Sequence, residues 1–476
     1  MQRKKILLSL GFIIVLTILV RLIHVTHSFW LDEAAQALES SRPLRDQLSL
    51  RDDFQPPLYH LVVHLLVGVA QSEWWLRLAS LIPGVASCAV VFLIAKRLGG
   101  WQRGLLAAGL LALSPLHVFF SQELRPYALA CFFALLSWEW LFRVVEAQQQ
   151  RRIHQLLFCL WSIFGFYTMY LYPFVLISQV LYVFIIAKKL RAWMLQSLVI
   201  IALAGSVWLP SFLGQLHAGQ SLQQTLPGWS ASVATPQLKA VVLIPIKFLI
   251  GQAELKRIPA FGIGAGLIYL VIGIALIRNV SYRTRARSLL FWILIPCIGA
   301  WVISFAVPVI QPKRLLFVVP GICVLIALLP KGKLLLTGVL LSLLVSFTSL
   351  AWYAVDARFG REDWRGVLSQ LSVMQAPSAI ISAFPEPFAP LRWYAPEHTQ
   401  LLNTRSLRLN DASELVPLAE EVKSLQTVAV FDYLRDLSDP HHLLETMLTQ
   451  QGYTLKSIID GGNVGFVRIY QRRYNQ

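Results

Sequence analysis

The sequence contains few charged residues: only 14% of its 476 residues are Asp, Glu, Lys or Arg. Ordinary soluble domains carry roughly 25% charged residues. Hydrophobic residues make up 56% of the chain and the mean hydropathy is +0.60. A water-soluble chain of this length has no means of hiding so much apolar surface. The composition therefore excludes soluble, disordered and collagen-like proteins.

Cysteine is also scarce. Each of the five cysteines lies within an apolar run, and no two form a CxxC pair; they are Cys88, Cys131, Cys159, Cys297 and Cys323. This pattern excludes a disulfide framework and a CxxC metal site.

Long apolar runs are abundant, and about 20 such residues span a bilayer. The first run follows Arg3, Lys4 and Lys5 and has no small-residue cleavage site after it, so it is interpreted as an uncleaved span. We predict eleven spans: 6–25, 77–96, 104–120, 126–145, 153–169, 172–187, 194–212, 258–277, 288–308, 314–330 and 333–353. The shorter run 57–69 opens with Pro56-Pro57 and is predicted to be an amphipathic helix in the membrane interface.

The net charge of +17 is concentrated in the segments that this arrangement places inside the cell. With a cytoplasmic N-terminus, those segments hold 18 basic residues and one acidic residue, Glu146, while the other 24 basic and 24 acidic residues cancel. That is the positive-inside pattern. It predicts a multi-pass protein of the plasma (inner) membrane with an extracytoplasmic C-terminus, and it gives no support to nucleic-acid binding.

Two domains are predicted. Residues 1–353 form a transmembrane catalytic domain whose outer loop 27–76 carries an acidic motif. A second outer segment, 213–257, holds an apolar stretch at 240–250 that is predicted to be another interfacial helix. Residues 354–476 form a small extracytoplasmic α/β domain, with strands at 379–381, 428–431 and 465–470 and a helix at 443–451. The predicted fold class is a polytopic α-helical membrane protein of about 11 transmembrane helices with this α/β domain.

The adjacent carboxylates Asp32 and Glu33 follow the first span at the outer membrane edge, where acidic side chains are costly near lipid and often functional. Three interpretations are open: a general base, a metal ligand, or a helix start with Asp32 as the N-cap.

A second cluster, Gln55-Pro56-Pro57-Leu58-Tyr59-His60, follows Asp52 and Asp53. Its two prolines fix an extended segment and then a helix start, which places Gln55 and His60 rigidly near the interface. His60 and His64 stand one helical turn apart and are metal-ligand candidates with the acidic pair. The alternative is an interfacial histidine face without metal.

Basic residues at two predicted outer edges, Arg125 and Lys313-Arg314, oppose the positive-inside trend. A phosphate group in the outer leaflet would explain them, since a guanidinium offers it paired donors. Snorkelling towards lipid headgroups is the alternative.

In their order along the chain, these motifs resemble the landmarks of the GT-C glycosyltransferases. The similarity is strongest to the family-39 group, which includes protein O-mannosyltransferases and the bacterial aminoarabinose transferase of lipid A. The residues that carry it are Trp30-Leu31-Asp32-Glu33-Ala34, Gln55-Pro56-Pro57-Leu58-Tyr59-His60, Trp75-Leu76-Arg77-Leu78-Ala79-Ser80, Ser114-Pro115-Leu116-His117, Ser121-Gln122-Glu123-Leu124-Arg125-Pro126-Tyr127 and Arg361-Glu362-Asp363-Trp364-Arg365-Gly366.

The resemblance implies a polyprenyl-phosphate sugar donor and a catalytic Asp32 with Glu33 beside it. It also implies substrate positioning by the Gln55, Tyr59 and His60 segment. Residues of the family's phosphate site match Arg125, Tyr127, Lys313 and Arg314, although Leu315 stands where members often have Tyr. Where the mannosyltransferases have His-Pro-Pro-Leu-Gly-Lys, this chain has Gln55-Pro56-Pro57-Leu58-Tyr59-His60. The Lys of the motif is missing here, which argues against a protein O-mannosyltransferase.

The expected function is inverting transfer of a hexose or pentose to an extracytoplasmic lipid, glycan or protein. The motifs require no cofactor, and a bound divalent metal ion remains one of the alternatives. The expected partners are the lipid-linked donor, the acceptor and membrane lipid. The alternative is a transporter or lipid flippase for a glycoconjugate, for which Glu139, inside the fourth predicted span, is the main argument.

Overall fold

Helices formed by the apolar runs dominate the first 356 residues. The computed structural model describes residues 2–47, 54–147, 152–225, 238–253, 259–356, 361–375 and 377–473. The α-helices before residue 357 are Gln2–Arg21, Leu31–Ser40, Leu44–Gln47, Leu58–Val67, Glu73–Leu76, Leu78–Gly99, Trp101–Ala112, Pro115–Ser121, Tyr127–Ala147, Arg152–Phe166, Pro173–Ile185, Arg191–Ser206, Leu209–Thr225, Leu238–Ile250, Pro259–Arg278, Val280–Ile303, Val319–Ala327 and Lys333–Val355. Lys188–Leu190 and Pro312–Val318 are 3₁₀ segments.

Five of the described helices are long and apolar enough to cross a membrane, and two bent pairs raise that number to seven if each pair is one span. The five are Leu78–Gly99, Tyr127–Glu146, Pro259–Arg278, Val280–Ile303 and Lys333–Val355. The predicted span 104–120 bends by 63° before Pro115, and the predicted spans 172–187 and 194–212 lie in a pair bent by 115°. The helical, multi-pass architecture is confirmed, while the count of eleven stays a prediction.

The two shorter apolar stretches are helical, as predicted. Leu58–Val67 lies within 57–69, and Leu238–Ile250 lies within 213–257. Their location in a membrane interface stays a prediction.

Gly100 makes the tight turn between helices Leu78–Gly99 and Trp101–Ala112. Its φ of 88° and ψ of 168° lie in a region that residues with a Cβ hardly ever occupy. Because this turn reverses the chain in a single residue, the two helices pack against each other along their length.

The C-terminal residues form a five-stranded sheet with strands β1 (Ala379–Ser382), β2 (Gln400–Asn403), β3 (Thr427–Phe431), β4 (Tyr453–Asp460) and β5 (Phe466–Arg472). The strand order is β2-β1-β3-β5-β4, in which β2, β1 and β3 are parallel and β3, β5 and β4 antiparallel. The α-helices of this region are Trp364–Gln375, Ala389–Tyr394, Val416–Val422, Arg435–Ser438 and Leu443–Gln450, with 3₁₀ turns at Ala412–Leu415 and Gly462–Val464. The predicted α/β character, three strands and final helix are confirmed.

Side chains alternate between the two faces of this sheet and form a core on each. Along β1, Ala379 and Ile381 belong to one core and Ile380 to the other. The two strands that the sequence did not predict, β2 and β4, are its edge strands. Several of their side chains face solvent, so their hydrophobic signal is weak.

The chain divides into two compact units. The first holds Met1–Val25, Arg42–Ala218 and Val233–Phe359, and the second holds Thr26–Ser41, Gly219–Ser232 and Gly360–Gln476. The acidic segment 26–41 therefore belongs to the same unit as the C-terminal sheet, although the predicted boundary placed it with residues 1–353.

Candidate active site

In the second unit, the acidic pair opens helix Leu31–Ser40. The N-cap is Trp30, whose φ of −82° and ψ of 176° are extended and whose own side chain makes no capping hydrogen bond. Asp32 is thus the second helical residue, and the interpretation of Asp32 as an N-cap is wrong. Carboxylates in a first turn interact favourably with the positive end of the helix dipole. Both Asp32 and Glu33 gain from this position, but their surroundings differ.

Glu33 is completely buried and forms an ion pair with Arg361. The distance from Arg361 Nη1 to Glu33 Oε2 is 2.9 Å, and the Arg361 side chain is only 4% exposed. Asp32, one residue earlier, is half-buried. Glu33 is therefore neutralised by a cation, whereas Asp32 reaches the surface of its unit.

Glu362 continues this arrangement from the same short segment as Arg361. Its Oε1 accepts a hydrogen bond from the Tyr433 hydroxyl at 2.8 Å, and its Oε2 accepts from Trp364 Nε1 at 2.7 Å and from the Leu31 backbone N–H at 3.3 Å. Burial raises the pKa of the Glu362 carboxyl, the three hydrogen bonds oppose the rise, and the negative charge of Asp32 adds to it. Glu362 thus fixes the start of the helix that carries Asp32.

Further contacts within the unit hold the segment before Asp32. The Ser28 hydroxyl donates to the Glu362 carbonyl at 2.8 Å, and the Phe29 N–H donates to the Tyr394 hydroxyl at 2.7 Å. Sequence reasoning did not assign a role to Arg361, Glu362 or Tyr433. The signal for the first two was the Arg361-to-Gly366 motif, which the family resemblance had singled out.

In the first unit, the structure brings together residues of the predicted phosphate site. Tyr127 opens helix Tyr127–Ala147, and Lys313 Nζ lies 5.7 Å from the centroid of its ring, a cation–π distance. Arg314 Nη1 donates to the Pro308 carbonyl at 3.1 Å. Residues separated by more than 180 positions in the sequence therefore meet at Tyr127.

A chain of hydroxyl groups connects the second predicted cluster with Arg125. The Tyr59 hydroxyl lies 2.7 Å from the Ser80 hydroxyl, and Ser80 also bonds to the Arg125 backbone carbonyl at 2.9 Å. Tyr59 and Ser80 are completely buried, while Arg125 is half-buried. Ser80, which the sequence analysis quoted but did not assign, is the link between helix Leu58–Val67 and the segment of Arg125.

The other residues of the second cluster are also buried in the first unit. Gln55 is 7% exposed, and its carbonyl accepts from Gln215 Nε2 at 3.2 Å. His60 is completely buried and His64 half-buried. Asp52 and Asp53 lie outside the described residues. Among the residues that are described, no group of three or more His, Cys, Asp or Glu side chains is arranged to hold a metal ion.

Glu139, the main argument for a transporter, lies between two arginines. Its Oε1 is 2.9 Å from Arg97 Nη2 and 2.8 Å from Arg143 Nε, and the Glu139 side chain is 2% exposed. A buried carboxylate held by two cations forms a structural ion pair, so Glu139 gives no particular support to a transporter.

Solved structures of low sequence identity share this fold over nearly the whole chain. The apo structure of ArnT from Cupriavidus metallidurans is 14% identical, with a TM-score of 0.58 and 98% of each chain covered. The chain has the fold of the GT-C glycosyltransferases. This confirms the resemblance on which the sequence analysis relied.

Two further GT-C structures contain a lipid phosphate. ArnT from Cupriavidus metallidurans bound to undecaprenyl phosphate is 13% identical, with a TM-score of 0.59 and 98% of each chain covered. The oligosaccharyltransferase AglB from Archaeoglobus fulgidus, in complex with an inhibitory peptide and a dolichol-phosphate, is 11% identical, with a TM-score of 0.51, and the match covers 98% of this chain and 74% of that one.

At the level of sequence, the family model of dolichyl-phosphate-mannose-protein mannosyltransferase matches residues 54–213. This range includes the Gln55-to-His60 cluster and Arg125. No curated protein sequence matches the chain significantly.

Proposed function

We propose that this protein is an integral-membrane glycosyltransferase that transfers a sugar from a polyprenyl-phosphate donor to an acceptor outside the cytoplasm. One observation carries the proposal: of two adjacent carboxylates, Glu33 is neutralised by Arg361 and Asp32 is half-buried and held in place through Glu362. The shared fold with ArnT bound to undecaprenyl phosphate supports the donor class.

In this proposal Asp32 is the general base. The acceptor hydroxyl attacks the anomeric carbon, its proton passes to the Asp32 carboxylate, and the bond between the anomeric carbon and the phosphate oxygen breaks. The electron pair of that bond leaves with the polyprenyl phosphate, which needs no protonation. A single displacement inverts the anomeric centre, and only one base is needed, unlike in glycosidases.

The basic residues of the first unit are proposed to bind the lipid phosphate. Arg125 offers paired donors to a phosphate, and Lys313 and Arg314 add positive charge as negative charge grows on the leaving group. Tyr127 keeps Lys313 in place through the contact between ammonium group and ring. The proposed orientation is a cytoplasmic N-terminus and an extracytoplasmic C-terminal unit in the plasma (inner) membrane, as the distribution of charge predicts.

The proposal is tested with purified protein in liposomes that contain undecaprenyl-phosphate-linked hexoses or pentoses with a radioactive label. Transfer of label to an added lipid, glycan or peptide, with inversion at the anomeric carbon, is the expected result. Movement of the labelled lipid between leaflets without cleavage of the sugar–phosphate bond would establish a flippase instead.

A further inference from the structure

Two arginines from different helices lie near the end of helix Val319–Ala327. Arg103 Nη1 donates to the last carbonyl of this helix at 2.6 Å. A neighbouring helix packs against the same end through the Tyr282 hydroxyl, which donates to the Leu325 carbonyl at 3.0 Å. Arg285 follows Tyr282 by about one helical turn, and its positive charge is close enough to repel that of Arg103. The fold therefore holds two cations of separate helices near each other.

Among the described residues, no carboxylate pairs with either arginine. Arg103 has the helix end as its acceptor, and Arg285 Nη2 donates to the Ser281 hydroxyl of its own helix at 2.9 Å. Residues 74–122 and 255–355, which contain the two arginines, hold no Asp or Glu at all. The helix end offers Arg103 a partial negative charge, but no full negative charge of the described chain offsets the two cations.

Arg97, on the other side of the single-residue turn from Arg103, shows the contrast. It forms an ion pair with Glu139 at 2.9 Å and another with Glu146. Glu139 is held in addition by Arg143 at 2.8 Å. Two other arginines at this end of the helices thus have described carboxylate partners, whereas Arg103 has none.

Neighbouring side chains indicate that this region lies at the level of the lipid headgroups. Trp101 stands two residues before Arg103, and tryptophan is enriched where membrane and water meet. Lys333, six residues after the end of helix Val319–Ala327, opens a helix that is long and apolar enough to cross a membrane. On that helix Leu336 is already 60% exposed, as expected of a side chain that faces acyl chains. The basic groups therefore lie close to the start of the apolar surface.

We propose that Arg103 and Arg285 bind the phosphate of an anionic phospholipid, in the leaflet that the predicted topology places inside the cell. Each guanidinium offers paired donors to phosphate oxygens, and both side chains are accessible, since Arg103 is half-buried and Arg285 exposed. One negative charge beside them offsets their repulsion. A free phosphate ion has the same oxygens, but only a lipid also covers exposed apolar side chains with its acyl chains. This inference does not depend on the transfer of a sugar.

The test measures binding of two lipids to the full-length protein in a non-ionic detergent by native mass spectrometry. The lipids are dioleoylphosphatidylglycerol, which is anionic, and dioleoylphosphatidylcholine, which is zwitterionic. The variants are Arg285→Gln, Arg103→Gln and the double variant. Arg191→Gln is the matched control, because it removes the same charge from another predicted inner segment, where Arg191 Nη2 donates to the Phe184 carbonyl at 2.6 Å.

We expect the wild type to bind phosphatidylglycerol at least about tenfold more tightly than phosphatidylcholine. Each single variant should weaken the tightest phosphatidylglycerol site about fivefold and the double variant about thirtyfold, as the attraction of one basic residue to an anionic lipid surface predicts. Arg191→Gln should leave this affinity within about twofold of the wild type. Inorganic phosphate, added as a competitor at the lipid concentration, should displace none of the lipid.

Thermal unfolding without added lipid separates lost binding from lost folding. Arg285→Gln changes an exposed side chain that bonds only to its own helix, so its melting temperature should match that of the wild type. This variant decides the outcome if Arg103→Gln unfolds at a lower temperature for want of its bond to the helix end. Unchanged affinity in Arg285→Gln, an equal loss in Arg191→Gln, equal binding of the two lipids, or displacement by inorganic phosphate overturns the proposal.

Discussion

At the level of single residues, an ion pair distinguishes two neighbouring carboxylates that the sequence presents as equivalent. Glu33 is buried against Arg361, whereas Asp32 is half-buried beside Glu362. Only a group that reaches solvent or substrate can accept a proton from an acceptor hydroxyl. The arrangement therefore favours Asp32 as the proposed base, held in place through Glu362, and Glu33 as the partner of Arg361.

Asp32→Asn keeps the size of the side chain and removes its ability to take up a proton. Because a general base contributes about 10²–10⁴-fold to rate, we expect single-turnover transfer to fall by at least about two orders of magnitude while donor affinity is retained. Asp46→Asn is the matched control, since Asp46 lies in the same predicted outer loop and its side chain is 42% exposed beside Arg45. A rate near that of the wild type in Asp32→Asn would remove Asp32 from the mechanism.

Glu33→Gln removes the carboxylate that pairs with the buried Arg361 side chain. Breaking a buried ion pair from one side costs about 3–5 kcal/mol, so the variant is expected to unfold at a markedly lower temperature. The double variant Glu33→Gln/Arg361→Gln should recover part of that loss, because it removes the buried cation together with the carboxylate. The exposed pair Arg405–Glu421, treated in the same way, should change stability by no more than about 1 kcal/mol. Equal effects for the two pairs would contradict the burial of Glu33.

Glu362→Gln tests the raised pKa of Glu362. In the folded protein this carboxyl has a pKa above its ordinary value of 4.5, so the stability that it contributes is complete below that pH and is lost as the pH rises through the folded-state pKa. The glutamine variant has no such loss. Its melting temperature relative to that of the wild type should therefore increase as the pH is raised from about 4 to neutrality, and a constant difference over this range would show that the pKa is not raised.

At the level of elements, the turn at Gly100 depends on a backbone conformation rather than on space. A Cβ built on Gly100 or on Gly109 meets no atom within 4 Å, but only Gly100 has a positive φ. Gly100→Ala is expected to cost about 1–3 kcal/mol through strain in the backbone. Gly109→Ala, in the middle of helix Trp101–Ala112, should instead stabilise the protein by about 0.5–1 kcal/mol. Thermal unfolding of both variants checks the opposite signs.

The positions of the helices were easier to predict from the sequence than the bends that interrupt them. Every predicted span contains a helix, because a run of apolar residues indicates where a helix lies in a membrane. A window of hydropathy averages over the bend before Pro115 and the sharper one near Lys188. The central strands β1 and β3 were predicted for a similar reason, since both of their faces are buried.

At the level of the whole molecule, the distribution of charge predicts the orientation. A reporter enzyme that folds only outside the cytoplasm, fused after Tyr353, is expected to be active, because the basic residues lie in the segments predicted to be inside. A fusion after Lys331, one predicted span earlier, is the control and should be inactive. The reverse pattern of activity would overturn the eleven-span topology.

The sequence by itself determined the class of the protein, its membrane-spanning helices, the α/β character of its C-terminal region and the resemblance to GT-C enzymes. These features depend on composition, on local periodicity and on motifs of a few residues, all of which can be read along the chain. For the candidate site, the assignment of chemistry to particular residues stays a prediction, and the sequence did not predict their partners.

Only the tertiary structure decided that Thr26–Ser41 belongs to the C-terminal unit and that Arg361, Glu362 and Tyr433 surround the acidic helix start. The physical reason is distance along the chain. More than 300 residues separate Glu33 from Arg361, and no local pattern records which distant charge will neutralise a buried carboxylate.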